Sequence, residues 1–257
     1  MSELRLIAHE IRYDARSYLR SPPVVFFGLL LPVIFLLIFA TVFGNDTISA
    51  HGGIKTSTYY VPTLIALGIV STTFVNVAIG LAVQRENRVL KRLRGTPLPM
   101  RTFMAGLLSL ALGFAVALTI VLLVLGKLLY GASIPGHTLP GVALALLIGA
   151  SALNALGVAM SAAIPDEDSG PPIVNAVVLP LYFISGVFFD TANAPGWLNG
   201  LADVFPIKHL AEALLTAFDP RTTGAGIAWG DLAVIAAWGV AGALLAVRFF
   251  RWTPRGE

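Results

Sequence analysis

Long uninterrupted runs of apolar residues dominate the pattern along the chain. Six stretches contain no Lys, Arg, Asp, Glu or His, and about 20 apolar residues are enough for a helix to cross the hydrocarbon core of a bilayer. A water-soluble helix would need a polar face, which these stretches lack. The pattern therefore predicts an all-α membrane protein with six transmembrane helices, at residues 24–43, 61–83, 103–125, 142–164, 173–189 and 232–247.

A different pattern precedes the first predicted span. Leu4, Ile7 and Ile11 recur at helical spacing on one face, with basic residues along one edge of that face and acidic residues along the other. A helix of this kind lies in the plane of the membrane interface rather than across the membrane. Residues 1–22 are therefore predicted to form an amphipathic interfacial helix, which serves either as a membrane anchor or as a contact with a partner.

Residues 190–227 carry apolar runs that are too short to cross a bilayer. Trp197, Leu201 and Phe205 share one helical face, and a second apolar face follows Pro206. Runs of about 10–14 residues are more typical of re-entrant or interfacial segments than of spans. The pattern predicts a pair of external re-entrant helices after the fifth span, with a plain extracellular helical hairpin as the alternative.

The basic residues are distributed unevenly between the loops. Of the 17 Lys and Arg residues, 13 lie before the first span, between the second and third, or after the sixth. Loops rich in Lys and Arg stay on the cytoplasmic side of a membrane. This distribution predicts a multi-pass protein of the inner membrane with both termini in the cytoplasm, and it places outside the four remaining basic residues, Lys55, Lys127, Lys208 and Arg221.

Composition excludes several kinds of chemistry. Only 12% of the residues are charged, against about 25% in soluble proteins, and cysteine is absent. The chain has no G-x-x-x-x-G-K-[ST] phosphate loop and no H-E-x-x-H zinc motif. Proton- and ion-coupled carriers keep ionisable residues at membrane depth, and the predicted spans hold none. We expect no catalytic residues, no metal site and no cofactor bound by this chain.

Neutral polar residues are the remaining candidates for function inside the membrane. Most Ser and Thr side chains in spans bond the backbone or allow close helix packing, whereas a buried Asn is more costly to satisfy. We predict that Asn76, Asn175 and Ser185 line a substrate pathway. Contacts between helices are the alternative for each of them.

Residues 84–101, between the second and third spans, carry the motif that is most informative about function. They read QRENRVLKRLRGTPLPMR, and they predict a short helix to about Arg94, with Gly95 as its cap and Pro97 and Pro99 preventing continuation. Glu86, the run Leu90-Lys91-Arg92-Leu93-Arg94 and Thr96-Pro97 resemble the cytoplasmic loop of ABC-2 type transporter permeases. The run Ile184-Ser185-Gly186-Val187-Phe188-Phe189 and the segment after it are similar to the fifth span and external helices of that family. The resemblance covers residues 1–257 as a single domain, although the family often has Gly-Thr where this chain has Arg88-Val89.

The resemblance implies a permease of an ABC exporter that works with a separate cytosolic ATPase subunit in two copies and with a second permease protomer, identical or homologous. ATP and Mg would bind the ATPase, and no nucleic acid is implied as a partner. Drug, antibiotic or lipid-like cargo is implied, with export of lipids or polysaccharide precursors, or a non-transporting assembly role, as alternatives. The residues implied in contact with the ATPase, forming a coupling helix, are Glu86, Leu90, Lys91, Arg92, Leu93 and Arg94.

Overall fold

Helices make up nearly all of the architecture in the computed structural model, which describes residues 20, 22–42, 47–48, 54–95, 100–188 and 194–250. Helix α1 comprises Pro22–Val25, the π-helical Phe26–Leu30 and Leu31–Val42, and α2 comprises Thr56–Ile69, the π-helical Val70–Val75 and Asn76–Glu86. Two short strands, β1 (Thr47–Ile48) and β2 (Ile54–Lys55), pair antiparallel between them. The later helices are α3 (Val89–Arg94), α4 (Met100–Tyr130), α5 (Leu139–Ser161), α6 (Gly170–Ile184), α7 (Gly196–Ala202), α8 (Pro206–Phe218) and α9 (Trp229–Phe249).

Each of the six predicted spans falls on a helix. Within the described chain, α2, α4, α5 and α9 are long and apolar enough to cross a membrane, whereas α1 and α6 supply shorter apolar helices. The prediction of a fifth span reaching residue 189 is wrong at its end, because α6 stops at Ile184. Gly186 follows with φ of +74°, a left-handed conformation that ends a helix. The interfacial helix predicted at residues 1–22 lies almost entirely outside the described residues.

Helix α2 is the most enclosed of the long helices. Two tyrosine hydroxyls join α2 to α6 and to the residues just after it. Tyr59 of α2 donates to the Gly186 carbonyl at 2.8 Å, and Tyr182 of α6 donates to the Leu67 carbonyl at 3.2 Å. The middle of α2 is π-helical, and the Asn76 N–H reaches back to the Ser71 carbonyl. Short π-helical segments within α-helices are frequent at functional sites. The centre of the bundle therefore combines an irregular helix with buried tyrosine bonds.

Small residues on α5 allow three neighbouring elements to approach it closely. A Cβ at Gly157 would lie 2.9 Å from the Phe74 carbonyl oxygen on α2, and a Cβ at Gly149 would lie 2.7 Å from the Leu210 side chain on α8. From the opposite side, a Cβ at Gly242 on α9 would meet the backbone nitrogen of Leu156 at 2.9 Å. Close backbone approach through small residues is how membrane helices gain packing energy. Helix α5 is consequently the packing partner that α2, α8 and α9 share.

The external helices predicted in residues 190–227 correspond to α7 and α8. On α8 the predicted apolar face is buried, and Leu210, Leu214 and Phe218 pack against the long helices. On α7 the face behaves differently, because Trp197 is 72% exposed and Leu201 is 46% exposed. Exposed tryptophans are typical of residues at a membrane–water interface. Helix α8 is thus part of the core, while α7 lies at its edge.

The close approach at Gly157 gives a test of this packing. We expect Gly157→Ala to lower the free energy of unfolding by about 1–3 kcal/mol, because the added methyl group meets backbone oxygens that have little room to move. Gly113→Ala on α4 is the matched control, since a Cβ there meets nothing within 4 Å, and Ala is the better helix former by about 1 kcal/mol. Denaturation of the two variants in detergent measures the difference. Equal stability of the two variants would contradict the packing of α5 on α2.

Candidate functional site

The loop that resembles a known motif forms a sharp bend, which we call the elbow (residues 85–95). The prediction of one continuous helix from Gln84 to Arg94 is wrong, because α2 ends at Glu86 and α3 begins at Val89. Arg88 separates the two helices with φ of +57°, a left-handed conformation that costs a non-glycine residue about 1–2 kcal/mol. Glu86 therefore lies at the end of the long helix, apart from the rest of the motif on α3.

Arg85 fixes the elbow to the end of α5. Its side chain is 2% exposed, and its guanidinium donates to the Ser161 carbonyl at 2.9 Å and to the Ile164 carbonyl at 2.6 Å. A third N–H of the group faces the Glu86 carboxylate at 3.3 Å. The last carbonyls of a helix have no partner within the helix and carry partial negative charge. Arg85 satisfies the carbonyl of Ser161, the last residue of α5, and the carbonyl of Ile164 in the turn that follows. The same bonds hold the end of α2 against the end of α5.

A second contact joins the elbow to the turn between α5 and α6. The Asn87 amide donates to the Glu167 carboxylate at 3.1 Å and to the Val83 carbonyl at 3.0 Å. Within this turn, the Asp166 carboxylate accepts the Ser169 N–H at 2.9 Å, and hydrogen bonds from Ser169 lower the pKa of Asp166. The acidic turn is thus exposed and linked to the elbow through Asn87 and Glu167.

Leu90 anchors α3 from within. Its side chain is 0% exposed, and it packs in a small apolar core with Val77 and Leu81 of α2, Phe103 of α4 and Val158 of α5. The resemblance implied that Leu90 contacts a partner protein, but the chain itself already buries this side chain. Leu93 is only partly buried against the same core. Leu90 therefore holds α3 to three long helices.

The outward side of the elbow is polar and basic. Asn87, Arg88, Lys91 and Arg92 are exposed and line an open depression of about 420 Å³. Arg94 lies on α3, although its side chain is outside the described set. Of the predicted coupling residues, Lys91 and Arg92 have exposed side chains, whereas the side chain of Leu90 is buried. The elbow combines a fixed apolar underside with a basic outer face.

The three predicted lining residues occupy different environments. Asn175 is exposed on α6, whereas Ser185 is buried just after α6 ends. The Asn76 side chain lies on α2 close to Gly28, since a Cβ at Gly28 would be 3.5 Å from its amide nitrogen. Neither this nitrogen nor the Ser185 hydroxyl has a hydrogen-bond partner among the described residues, and the Asn154 amide nitrogen on α5 is in the same condition. The structure does not bring the three predicted residues together in one place.

An apolar cleft of about 530 Å³ lies between α5, α6, α8 and α9. Its walls include Phe74 of α2, Leu156 of α5 and Leu181 of α6. Phe205, which precedes α8, and Trp238 of α9 also line it. Pockets of this size bury small ligands in proteins, usually behind mainly apolar walls. Sequence reasoning missed the cleft, because its walls come from five elements that are distant along the chain.

Sequence reasoning also missed Arg85, which it counted among the basic residues that set the orientation. A signal was available, because Ala78, Leu81, Ala82 and Arg85 repeat at helical spacing and all four are buried. Extending the buried stripe of the second span by one turn would have placed Arg85 inside. The end of α2 therefore carries an internal link in addition to an orientation signal.

Comparison with known proteins identifies the family that the sequence of the elbow resembles. The profile of the ABC-2 type transporter family matches residues 6–218, which include the elbow and all helices from α1 to α8. The chain belongs to the ABC-2 type transporter family.

Individual relatives of this permease are named as transport proteins. It is 25% identical over 190 residues to the inner membrane transport permease YadH of Escherichia coli K12, covering 73% of each chain. It is 32% identical over 192 residues to the daunorubicin resistance ABC transporter permease protein DrrB1 of Streptomyces coeruleorubidus, covering 72% of this chain and 65% of that one. It is also 24% identical over 224 residues to the putative transport permease ycf38 of Porphyra purpurea, covering 84% and 76%. The chain is a multi-pass membrane protein of the transport-permease type rather than an enzyme.

The Arg85 link predicts a stability effect that separates it from its basic neighbours. We expect Arg85→Met to lower the free energy of unfolding by about 3 kcal/mol, because two hydrogen bonds from a charged donor are lost, at about 1.5–3 kcal/mol each, and partial relaxation recovers some of the loss. Arg85→Lys should fall between this variant and the wild type, since an ammonium lacks the guanidinium fork.

The matched control for Arg85 is Arg92→Met, an exposed base on the same elbow, which should change stability by about 0.5 kcal/mol or less. Denaturation of the purified permeases in detergent measures all three variants. Equal effects at positions 85 and 92 would show that Arg85 contributes only charge.

Proposed function

We propose that this permease is the membrane subunit of an ATP-driven exporter that moves an amphipathic or hydrophobic cargo out of the cell together with a separate ATPase subunit. The observation that carries the proposal is the elbow, which exposes Lys91 and Arg92 while Leu90 and Arg85 tie it to the long helices. A surface of this kind can receive a mechanical movement from a docked protein and pass it to the bundle.

Transmission requires that the elbow move together with the helices behind it. The core around Leu90 joins α3 to α2, α4 and α5, and the Arg85 bonds join the end of α2 to the end of α5. A conformational change is driven by a ligand only through its different affinity for two states. In this proposal ATP and Mg bind the ATPase, whose closed state favours one tilt of these helices over another.

The assembly we propose contains two ATPase copies and two permease protomers, identical or homologous. Helices α1 and α6 add to the four long helices to give six membrane crossings. The basic elbow and both termini then face the cytoplasm, as the distribution of Lys and Arg favours. Helices α7 and α8 then lie on the outer side as the re-entrant pair. Exposed apolar side chains on α1 and α6, such as Phe27 and Phe183, supply surface for lipid or for the second protomer.

The proposed cargo class follows from the chemistry of the interior. The described long helices enclose neutral polar groups and an apolar cleft, which suit an uncharged or amphipathic molecule better than a highly charged one. The Asn76 amide nitrogen has no hydrogen-bond partner in the part of the chain that the structure describes, and it lies where the π-helical parts of α1 and α2 adjoin. The name of the DrrB1 relative, daunorubicin resistance, is consistent with drug export. The fully apolar walls of the cleft also favour a lipid-like cargo, which is our second candidate.

Reversal of charge on the elbow tests the docking of the ATPase. We expect Lys91→Glu with Arg92→Glu to weaken binding of the partner ATPase at least tenfold, about 1.4 kcal/mol, because like charges placed across an interface are strongly unfavourable. The stability of the isolated permease should not change. Affinity between the purified permease and the co-expressed ATPase, and ATP-driven uptake of daunorubicin into inverted vesicles, are the measurements.

Two control variants sharpen this experiment. Lys127→Glu reverses an exposed charge in the last turn of α4, at the end of that helix opposite to Phe103 of the Leu90 core, and should leave binding of the ATPase unchanged. Leu90→Ala should instead lower the stability of the permease itself by about 2–5 kcal/mol, with or without the ATPase. Wild-type affinity and ATP-driven transport in the double charge variant would remove the elbow from the proposed mechanism.

A further inference from the structure

Charged side chains converge where α7, α8 and α9 meet, far along the chain from the elbow. His209 on α8 lies between Asp231, in the first turn of α9, and the turn that follows α7. On the same helix, the Lys208 ammonium contacts the Asp203 carboxylate at 2.5 Å and the Glu212 carboxylate at 3.7 Å. These side chains are partly or largely buried, apart from the exposed Asp203 and Glu212 carboxylates. They form a network between three elements that the proposed transport mechanism does not use.

Both ring nitrogens of His209 face acceptors. Nδ1 lies 2.7 Å from the Asp231 carboxylate, and Nε2 lies 2.8 Å from the Asp203 carbonyl. A carbonyl oxygen cannot donate, and an ionised carboxylate cannot donate either. A neutral imidazole carries one N–H and can satisfy only one of these acceptors, so the pair of His209 and Asp231 needs one additional proton for both bonds to form. The imidazole is the stronger base and holds this proton as imidazolium.

The surroundings of the ring favour this protonated form. Burial lowers the pKa of His209, but the Asp231 carboxylate, the Asp203 carbonyl and the charge of Glu212 outweigh it and raise the pKa above its ordinary value. The positive charge of Lys208 lies close by, and it is paired with Asp203 and Glu212. A raised pKa in the folded protein means that the stabilisation is complete below the ordinary imidazole value of about 6.5. It is lost as pH rises through the raised value.

The bond that needs the proton lies next to a second bond between the same elements. The Trp238 indole N–H on α9 donates to the Val204 carbonyl at 2.7 Å, and the Trp238 ring stacks on Phe205 with centroids 6.1 Å apart. Two contacts therefore connect residues 203–205 to α9. Trp238 makes the first directly, and His209 makes the second because its ring contacts both the Asp203 carbonyl and the Asp231 carboxylate. Deprotonation of His209 removes one of these two connections and leaves Trp238 as the other.

We propose that His209 and Asp231 form a proton-operated latch that holds the turn between α7 and α8 against the start of α9. Protonation of His209 closes the latch, and loss of this proton as pH rises opens it. The proposal goes beyond export, because it concerns the mobility of the α7–α8 pair in the isolated permease. In the orientation proposed above, the latch responds to the pH of the external medium.

Trp238 supplies the reporter for a direct test. In a permease whose other three tryptophans are replaced by Phe, we expect the Trp238 emission to shift to the red as pH rises, with a one-proton midpoint above 6.5. His209→Gln should abolish this transition. Asp231→Asn should move the midpoint downward, because the carboxylate that favours imidazolium is lost. His137→Gln is the matched control, since His137 makes one bond, to the Thr222 carbonyl, and its loss should leave the midpoint unchanged.

Several outcomes overturn the latch. A Trp238 transition that persists with the same midpoint in His209→Gln and in Asp231→Asn excludes it. The ligand atoms of His209, Glu212 and Asp231 lie within 4.8 Å of one another, so micromolar Zn²⁺ is included as an arm. If micromolar Zn²⁺ binds the wild type and removes its transition, and His209→Gln does not bind Zn²⁺, the cluster is a metal site and the latch is wrong. The assay needs neither ATPase nor cargo, so its failure leaves the proposed export function intact, and failure of export leaves the latch untouched.

Discussion

The buried guanidinium of Arg85 is the constraint on which the junction between the ends of α2 and α5 depends in this permease. A charge that is removed from water is very costly unless hydrogen bonds compensate it, and Arg85 finds those bonds in the carbonyls of Ser161 and Ile164. The end of α2 and the end of α5 cannot separate without breaking them. Because Leu90 fixes α3 to the same helices, the elbow and the bundle behind it behave as one mechanical unit.

The two ends of the molecule are held by different kinds of interaction. At the elbow, the Arg85 guanidinium donates to two backbone carbonyls. At the junction of α7, α8 and α9, His209 supplies a bond that depends on a proton which can be lost near neutral pH. Between them, the π-helical middle of α2 packs on Gly157 of α5. A permease that must move repeatedly gains from a rigid input at one end and an adjustable contact at the other.

Sequence alone predicted the parts of this fold that follow from the pattern of apolar and polar residues. The six helical stretches followed from apolar length, and the buried face of α8 followed from helical spacing. The elbow was predicted only in part, because the left-handed Arg88 interrupts a sequence that otherwise favours helix. The burial of Leu90 was missed for a related reason, since its partners on α4 and α5 lie far along the chain. Interactions of this kind depend on which helices meet, and a single sequence does not state that.

The most direct test of this account is the distance between the elbow and the turn that follows α5. The chain has no cysteine, so Lys91→Cys and Asp168→Cys place two spin labels, and pulsed electron paramagnetic resonance measures the distance between them. The measurement is made in the complex with the ATPase, with and without ATP. The account predicts that the distance within one protomer stays the same when ATP binds, and that Arg85→Met makes it broader. A distance in the wild type that changes on ATP binding would show that the elbow moves separately from α5, and it would contradict the account.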